Sequence, residues 1–172
     1  MENDLAVIRP ANQTYEDGLA FAKYVDMASE GGLRKALGYR YEDIMANAFI
    51  EPNHDLSYTY TFFAEFEGAI VGMVSGYPAK TQRVSSHFAL KRAAGSRFRR
   101  MLGIVLLGFV SGVHGGLDKD AYYLQFLGVD KSARGKGIGT KLLIYMENRA
   151  LADKCVHFSI DVSAKNPGAQ RL

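Results

Sequence analysis

A short segment rich in glycine and positive charge has the residues needed to bind an anion. It is Arg134-Gly135-Lys136-Gly137-Ile138-Gly139-Thr140, and it precedes a stretch with helical spacing. Because glycine has no Cβ atom, a turn built from it lets several backbone N–H groups approach one ligand. The first N–H groups of the following helix are unpaired and lie at the positive end of its dipole. Arg134 and Lys136 add charge and Thr140 adds a hydroxyl donor, so the segment suits a pyrophosphate.

Two other phosphate-binding motifs fit this segment less well. A Walker loop needs Lys and then Ser or Thr after its last glycine, whereas Gly139 is followed by Thr140 and then Lys141. A dinucleotide fingerprint needs a third glycine where Thr140 stands, and it normally opens a doubly wound domain. The segment here comes late in the chain, after a predicted antiparallel hairpin.

The elements that must position the segment are a strand before it and a helix after it. Ala121–Val129 is apolar nearly throughout, as a central strand covered on both faces would be. The spacing of apolar residues predicts a helix over Gly137–Ala152. Val156–Val162 predicts a further strand, and Pro167 after Asn166 suits the first turn of another helix.

The clearest strand signal lies in the first half of the chain. Apolar and polar residues alternate over Tyr58–Phe66, Glu67-Gly68 suits a two-residue turn, and Ala69–Ser75 returns as a second strand. This pattern predicts an antiparallel hairpin.

Earlier elements are predicted from shorter signals. Leu5–Arg9 indicates a first strand, and Thr14 with Asp17 resembles a capping box that opens a helix over residues 14–29. A second helix is predicted over Leu33–Phe49, weakened by Gly38.

The stretch from residue 79 to residue 116 predicts a helical region that is basic first and then buried. Five cations lie within ten positions, and a solvated helix face explains them better than a phosphorylated or acidic ligand. They are Lys91, Arg92, Arg97, Arg99 and Arg100. Only Phe88 and Phe98 lie nearby for base stacking, so nucleic-acid binding is the least favoured function.

Composition indicates one domain in a reducing compartment, which we take to be the cytoplasm. The chain has 172 residues, 48% hydrophobic and 23% charged, and its net charge of +3 does not imply a nucleic-acid partner. The single cysteine, Cys155, excludes an intramolecular disulfide and a cysteine-based zinc cluster, and we predict no metal. The longest apolar run, Met101–Val113, is shorter than the roughly 20 residues that cross a bilayer, so no membrane association is predicted.

The pattern Arg134-x-x-Gly137-x-Gly139, between strand and amphipathic helix and after a hairpin, resembles the acetyl-CoA loop of the GNAT superfamily of N-acetyltransferases. The resemblance implies an α/β (α+β) fold in a single domain over residues 1–172. Its mixed central sheet would carry an antiparallel N-terminal hairpin and flanking helices. The implied enzyme is an acyltransferase that moves the acetyl group of acetyl-CoA, its co-substrate, to a primary amine. The acceptor would be a small molecule or a peptide, and its amine would attack the thioester directly.

The resemblance also assigns residues to the coenzyme. Leu127 and Val129 would offer backbone groups to the pantetheine arm, and Asn166 would bond the cofactor, although a plain turn residue is an equal alternative. The pyrophosphate would be held by Arg134, Gly135, Lys136, Gly137, Ile138, Gly139 and Thr140.

Catalytic residues are less clearly implied. Many members of the family carry a glutamate on the fourth strand, whereas this strand has Tyr122, Tyr123 and Gln125 and no carboxylate. We predict that Tyr123 or Gln125 faces the acetyl group and orders a water that relays the amine proton. The reason is that alternate residues share a face with Leu127. Glu65 and Asp161 are alternative bases.

The chain also departs from the family at its end, because Leu172 comes before the last two strands expected. We favour a chain cut short, and the alternatives are a homodimer in which a second copy supplies a strand, or a solvated edge. An acyl-CoA-binding module without turnover is the alternative function. Residues 28–56 and 78–118 carry no motif that identifies the acceptor.

Overall fold

The computed structural model describes residues 6–81, 86–95, 118 and 120–160. The strands are β1 (Val7–Pro10), β2 (Thr61–Phe66), β3 (Ala69–Pro78), β4 (Ala121–Val129) and β5 (His157–Ile160). The helices are α1 (Tyr15–Ala28), α2 (Gly32–Leu37), α3 (Tyr41–Phe49), α4 (His87–Ala94) and α5 (Ile138–Ala152).

The five strands form one mixed sheet in the order β1-β2-β3-β4-β5. The first four are antiparallel neighbours, and β5 runs parallel to β4. Glu67 and Gly68 join β2 to β3 with φ angles of +51° and +76°, as a type I′ hairpin turn requires. A parallel neighbour needs a crossover connection, and α5 provides it between β4 and β5. The predicted fold class is thereby confirmed.

The sheet separates two apolar cores. On one face α1, α3 and α4 pack against Phe63, Met73 and Phe126. On the other face α5 packs through Leu142 and Met146 against strand residues that include Val74 and Leu124. Each face of the central strands is therefore covered, as the apolar run of β4 predicted.

A β-bulge interrupts β4 at its middle. Ser75 pairs with Phe126 and the next residue, Gly76, pairs with Leu124, so Gln125 is the extra residue. A bulge of this kind places two successive side chains on the same face. Phe126 lies in the core beneath α1, whereas Leu124 and Leu127 lie in the core beneath α5. The alternation of side chains along β4 is therefore reset at Gln125.

The first helix is confirmed, with one change to its cap. Thr14 is the N-cap, and its hydroxyl accepts a hydrogen bond from the Asp17 N–H at 3.2 Å. The Asp17 carboxylate does not return to Thr14, as a capping box would require. It accepts two hydrogen bonds from the Arg9 guanidinium, at 2.7 and 2.9 Å. The ion pair fastens β1 to α1.

Two predicted boundaries are wrong. The second helix is not continuous, because Gly38 has a φ angle of +72° and ends α2 before α3 begins at Tyr41. The hairpin strand does not begin at Tyr58, because residues 58–60 form a 3₁₀ turn before β2.

Several predictions concern residues outside the described ranges. These are the basic residues Arg97, Arg99 and Arg100, the apolar run Met101–Val113, Asp161 and Asn166. Within the described part of the chain, no helix has the length and apolar character that a bilayer crossing demands.

Candidate active site

The connection between β4 and α5 is anchored at both ends. At its start the Asp130 N–H donates to the Val71 carbonyl at 2.9 Å, and the Asp130 carboxylate accepts from Lys23 on α1. A short 3₁₀ turn over Lys131–Ala133 follows. At its end Ile138 is buried in the core beneath α5, so the first turn of the helix is fixed against the sheet.

Six consecutive backbone N–H groups in this connection and the first turn of α5 have no partner among the described residues. The first hydrogen bond of α5 runs from the Lys141 N–H to the Gly137 carbonyl at 2.9 Å. Among the described residues, no backbone or side-chain acceptor is paired with the N–H groups of residues 135–140. Unpaired donors at the positive end of a helix dipole form an anion site.

Glycine is required in this segment at two positions. Gly135 and Gly137 have φ angles of +74° and +75°, a conformation that other residues rarely adopt. Apart from the two chain neighbours, no atom of the described residues lies within 4 Å of where a Cβ would stand at either position. The space in front of the donors is therefore open to a ligand, and these residues fit a pyrophosphate.

The two cations of the segment differ in how firmly they are held. Arg134 donates from Nε to the Val129 carbonyl at 3.1 Å, so its exposed guanidinium is fixed at the base of the loop. Lys136 extends into solvent with its ammonium 5.9 Å from the centre of the Phe66 ring. Thr140 is exposed on the first turn of α5.

Leu127 and Val129 direct backbone groups away from β3. Since Asp130 and Val71 form a hydrogen-bonded pair, alternation along the ladder directs the N–H and C=O groups of Gly128 towards β3 and those of Leu127 and Val129 to the opposite edge. Within the described residues, β5 pairs with β4 only as far as Leu124. Apart from the Val129 carbonyl, which accepts from Arg134 Nε, the edge of β4 beyond the bulge is thus available to an extended ligand.

The predicted shared face of Tyr123, Gln125 and Leu127 is wrong. The bulge at Gln125 resets the alternation, so Tyr123 and Gln125 lie on the face of α1, and Leu127 lies on the face of α5. Tyr123 is buried with its ring 5.9 Å from that of Tyr77. The catalytic role of Tyr123 or Gln125 stays a prediction.

The alternative base Glu65 is engaged elsewhere. Its carboxylate accepts from Arg9 Nε at 2.6 Å on β2, and β3 separates that strand from β4. In the described ranges, no group of three or more His, Cys, Asp or Glu side chains is arranged to hold a metal ion.

Two polar residues on β3 were missed by the sequence reasoning. Ser75 and Tyr77 are buried, and neither hydroxyl has a hydrogen-bond partner among the residues that the structure describes. The available signal was their placement two positions apart in an otherwise apolar strand, which directs both to one face.

Comparison with known proteins places the chain in a family. Residues 32–172 match the model of the acetyltransferase (GNAT) family, whereas no curated protein matches. An N-acetyltransferase structure from Staphylococcus aureus Mu50 is 22% identical, with a TM-score of 0.75, over 96% of this chain and 86% of that chain. A second acetyltransferase structure is 24% identical, with a TM-score of 0.66, over 96% and 85% of the two chains. An aminoglycoside N-acetyltransferase in complex with CoA is 13% identical, with a TM-score of 0.59, over 99% and 86%. The matched model spans most of the chain, and the mixed sheet with its flanking helices agrees with these folds: the chain belongs to the GNAT family of acetyltransferases and is an acyltransferase.

Proposed function

We propose that this acyltransferase moves the acetyl group of acetyl-CoA to a primary amine of a small molecule or peptide. The observation that carries the proposal is the row of unpaired N–H groups over residues 135–140, beside Arg134 and Lys136. Similar folds support it, since one was solved with CoA and another, an aminoglycoside acetyltransferase, with sisomicin.

Main-chain groups hold the coenzyme in this proposal. The N–H groups of residues 135–140 bind the pyrophosphate, and Arg134 and Lys136 neutralise part of its charge. The backbone of Leu127 and Val129 binds the amides of the pantetheine arm as an added strand would. Asn166 is proposed to bond the same coenzyme.

The protein's contribution to the rate is largely positional. Bound acetyl-CoA would supply a thioester that a neutral amine attacks directly, so that a C–N bond replaces the C–S bond and coenzyme A leaves as a thiolate, which then takes up a proton. Holding the amine beside the thioester replaces a bimolecular encounter with an intramolecular one. The amine must lose a proton first, and because β4 has no carboxylate, we propose that Tyr123 or Gln125 orders a water that accepts it.

Substitution of Gly137 by valine tests the coenzyme site. A β-branched side chain at a φ angle of +75° strains the loop and fills the open space before the donors. We expect Gly137→Val to weaken CoA binding at least tenfold, measured by isothermal titration calorimetry.

Gly68→Val is the matched control for backbone strain. Gly68 has a φ angle of +76° and open space around it, but it lies in the turn between β2 and β3. This variant should lose stability and keep its affinity for CoA. Wild-type CoA affinity in Gly137→Val would refute the placement of the pyrophosphate.

A further inference from the structure

Three buried polar atoms near the bulge of β4 have no hydrogen-bond partner within the described part of the chain. They are the Ser75 Oγ, the Tyr77 hydroxyl and the Gln125 Oε1. Ser75 and Tyr77 are each only 1% exposed. Buried polar atoms in folded proteins are nearly always paired, so three exceptions on two adjacent strands need an explanation.

The three atoms belong to one face of two adjacent strands. Ser75 and Tyr77 are two positions apart on β3, which puts their side chains on the same face. Their partners on β4 are Phe126 and Tyr123, and Gln125 lies between those two. The bulge directs Gln125 to the face of α1 together with Phe126. Without the bulge, the side chain of the residue next to Phe126 would lie on the other face.

The chemistry of the atoms suits a group with several N–H donors. The Gln125 Oε1 only accepts hydrogen bonds, and each of the two hydroxyls has lone pairs to accept one. Three acceptors match the three donors of a primary ammonium group. When that group loses a proton, two acceptors still hold the remaining N–H bonds.

The surroundings favour a cation over an anion. The Tyr77 ring lies 5.8 Å from the Tyr60 ring and 5.9 Å from the Tyr123 ring, and aromatic faces attract cations. Asp55 is a buried carboxylate whose Oδ1 accepts from the Ser86 N–H at 2.8 Å. Burial first, and then the charge of Asp55, raises the pKa of Tyr77, so its hydroxyl remains neutral.

We infer that Ser75, Tyr77 and Gln125 form the subsite that binds the primary ammonium group of the acceptor. This inference rests on the proposed acetyl transfer, and it assigns the acceptor to the sheet face opposite α5. The residues act by positioning, since the bond to the acetyl group is formed by the acceptor nitrogen alone.

Removal of one hydroxyl tests the subsite while the packing is kept. Tyr77→Phe deletes an unpaired atom, so the melting temperature of the ligand-free protein should stay unchanged or rise. The KM for the amine should rise about tenfold, because a hydrogen bond to a charged group is lost, and the KM for acetyl-CoA should not change. The amine used in this assay is the one that is acetylated fastest by the wild type among sisomicin, spermidine and a peptide that begins with alanine.

Tyr122→Phe is the matched control on the neighbouring position. The Tyr122 hydroxyl donates to the Gly76 carbonyl at 2.9 Å and lies in the core beneath α5. Its loss should lower the melting temperature and leave the KM for the amine unchanged. An unchanged amine KM in Tyr77→Phe, or a loss of stability with no amine effect, would show a structural role and overturn the inference.

Two variants of Gln125 give opposite expectations. Gln125→Leu removes the acceptor and should raise the KM for the amine. Gln125→Glu puts a carboxylate in its place and should lower that KM, because an ionised acceptor binds an ammonium more strongly. If both variants changed the KM for the amine and the KM for acetyl-CoA by the same factor, that result would contradict the assignment.

A binding measurement separates this inference from the proposed function. n-Butylammonium chloride should raise the melting temperature of the wild type more than n-butanol does, and this difference should shrink in Tyr77→Phe. If that holds while no amine is acetylated, the proposed transfer fails and the ammonium subsite stands. If an amine is acetylated and n-butylammonium raises the melting temperature of the wild type and of Tyr77→Phe equally, the subsite is wrong and the proposed transfer stands. If neither effect is found, both are wrong.

Discussion

At the scale of single residues, His54 shows how burial fixes a protonation state. It is 3% exposed, and both ring nitrogens are engaged. Nδ1 accepts from the Leu56 N–H at 3.1 Å, so it carries no proton, and Nε2 donates to the Ala48 carbonyl at 3.0 Å. Burial lowers the pKa of this imidazole below its usual value. The neutral ring thus ties the end of α3 to the loop that follows.

Stability should therefore depend on pH through His54. Between the lowered pKa of the folded state and about 6.5 in the unfolded state, the unfolded chain binds more protons. The free energy of unfolding should be highest above that window and fall as the pH drops through it. Urea unfolding from pH 7.5 to pH 5 should show this fall in the wild type and a smaller one in His54→Gln.

The comparison is made against the wild type, and the other histidines are the same in the two proteins. The difference between their pH dependences therefore isolates His54. An equal pH dependence in His54→Gln and the wild type would contradict the role of His54.

At the scale of elements, the close crossing of α1 and α3 depends on one glycine. A Cβ on Gly18 would stand 2.8 Å from the Ala46 Cα and 2.9 Å from the Ala46 carbonyl oxygen. These are backbone atoms, so they cannot move aside as a flexible side chain would. The packing of the two helices is therefore set by the absence of a side chain at residue 18.

Gly18→Ala should destabilise the fold although alanine favours helices. Forcing the helices apart costs about 1–3 kcal/mol, which exceeds the roughly 1 kcal/mol gained in helix propensity. Gly32→Ala is the control, because nothing lies within 4 Å of its Cβ position at the start of α2. Denaturant unfolding should show a lower free energy of unfolding for Gly18→Ala and a slightly higher one for Gly32→Ala. Equal stability changes would refute the close-packing argument.

Elements with strong local patterns were predicted well. The bounds of β4 agree with its apolar run, and α5 begins one residue after Gly137 because that glycine has a left-handed cap conformation. The break of the second helix was less visible, since Gly38 is tolerated in a helix at a modest cost. The left-handed conformation that Gly38 adopts is not encoded by its identity alone.

The bulge explains why part of the candidate site was missed. A bulge depends on the register between two strands, and the sequence of one strand does not reveal it. The prediction that Tyr123, Gln125 and Leu127 share a face assumed unbroken alternation. The glycine-rich segment was predictable because its donors are main-chain groups whose placement follows from the helix start.

At the scale of the whole molecule, the proposed coenzyme site joins elements from both sides of the sheet. The segment over residues 134–140 is anchored beneath α5 through Ile138, and Asp130 at its base is bound to Lys23 on α1. A ligand bound at residues 134–140 is therefore connected to the core beneath α5 and to the core beneath α1. Binding should therefore stabilise the folded molecule and not only the loop.

Coenzyme A should raise the unfolding free energy by mass action. At a free concentration 100 times its Kd the expected gain is about 2.7 kcal/mol. For a protein of this size that gain corresponds to roughly 5–10 °C in melting temperature. Hydrogen exchange with and without CoA should show added protection at residues 134–140 and along the free edge of β4. A rise in melting temperature with protection confined to other segments would contradict the proposed site.

The unpaired N–H groups of the loop also determine how freely its sequence can drift. A main-chain donor is the same whichever side chain its residue carries, so most positions can change without altering the main-chain contacts offered to an anion. Gly135 and Gly137 are the exceptions because of their positive φ angles, and Ile138 because its side chain fills the core. Lys136 and Thr140 are exposed and carry neither constraint. Many different sequences can therefore encode the same set of donors, and the information that specifies them is concentrated in two glycines and one apolar anchor.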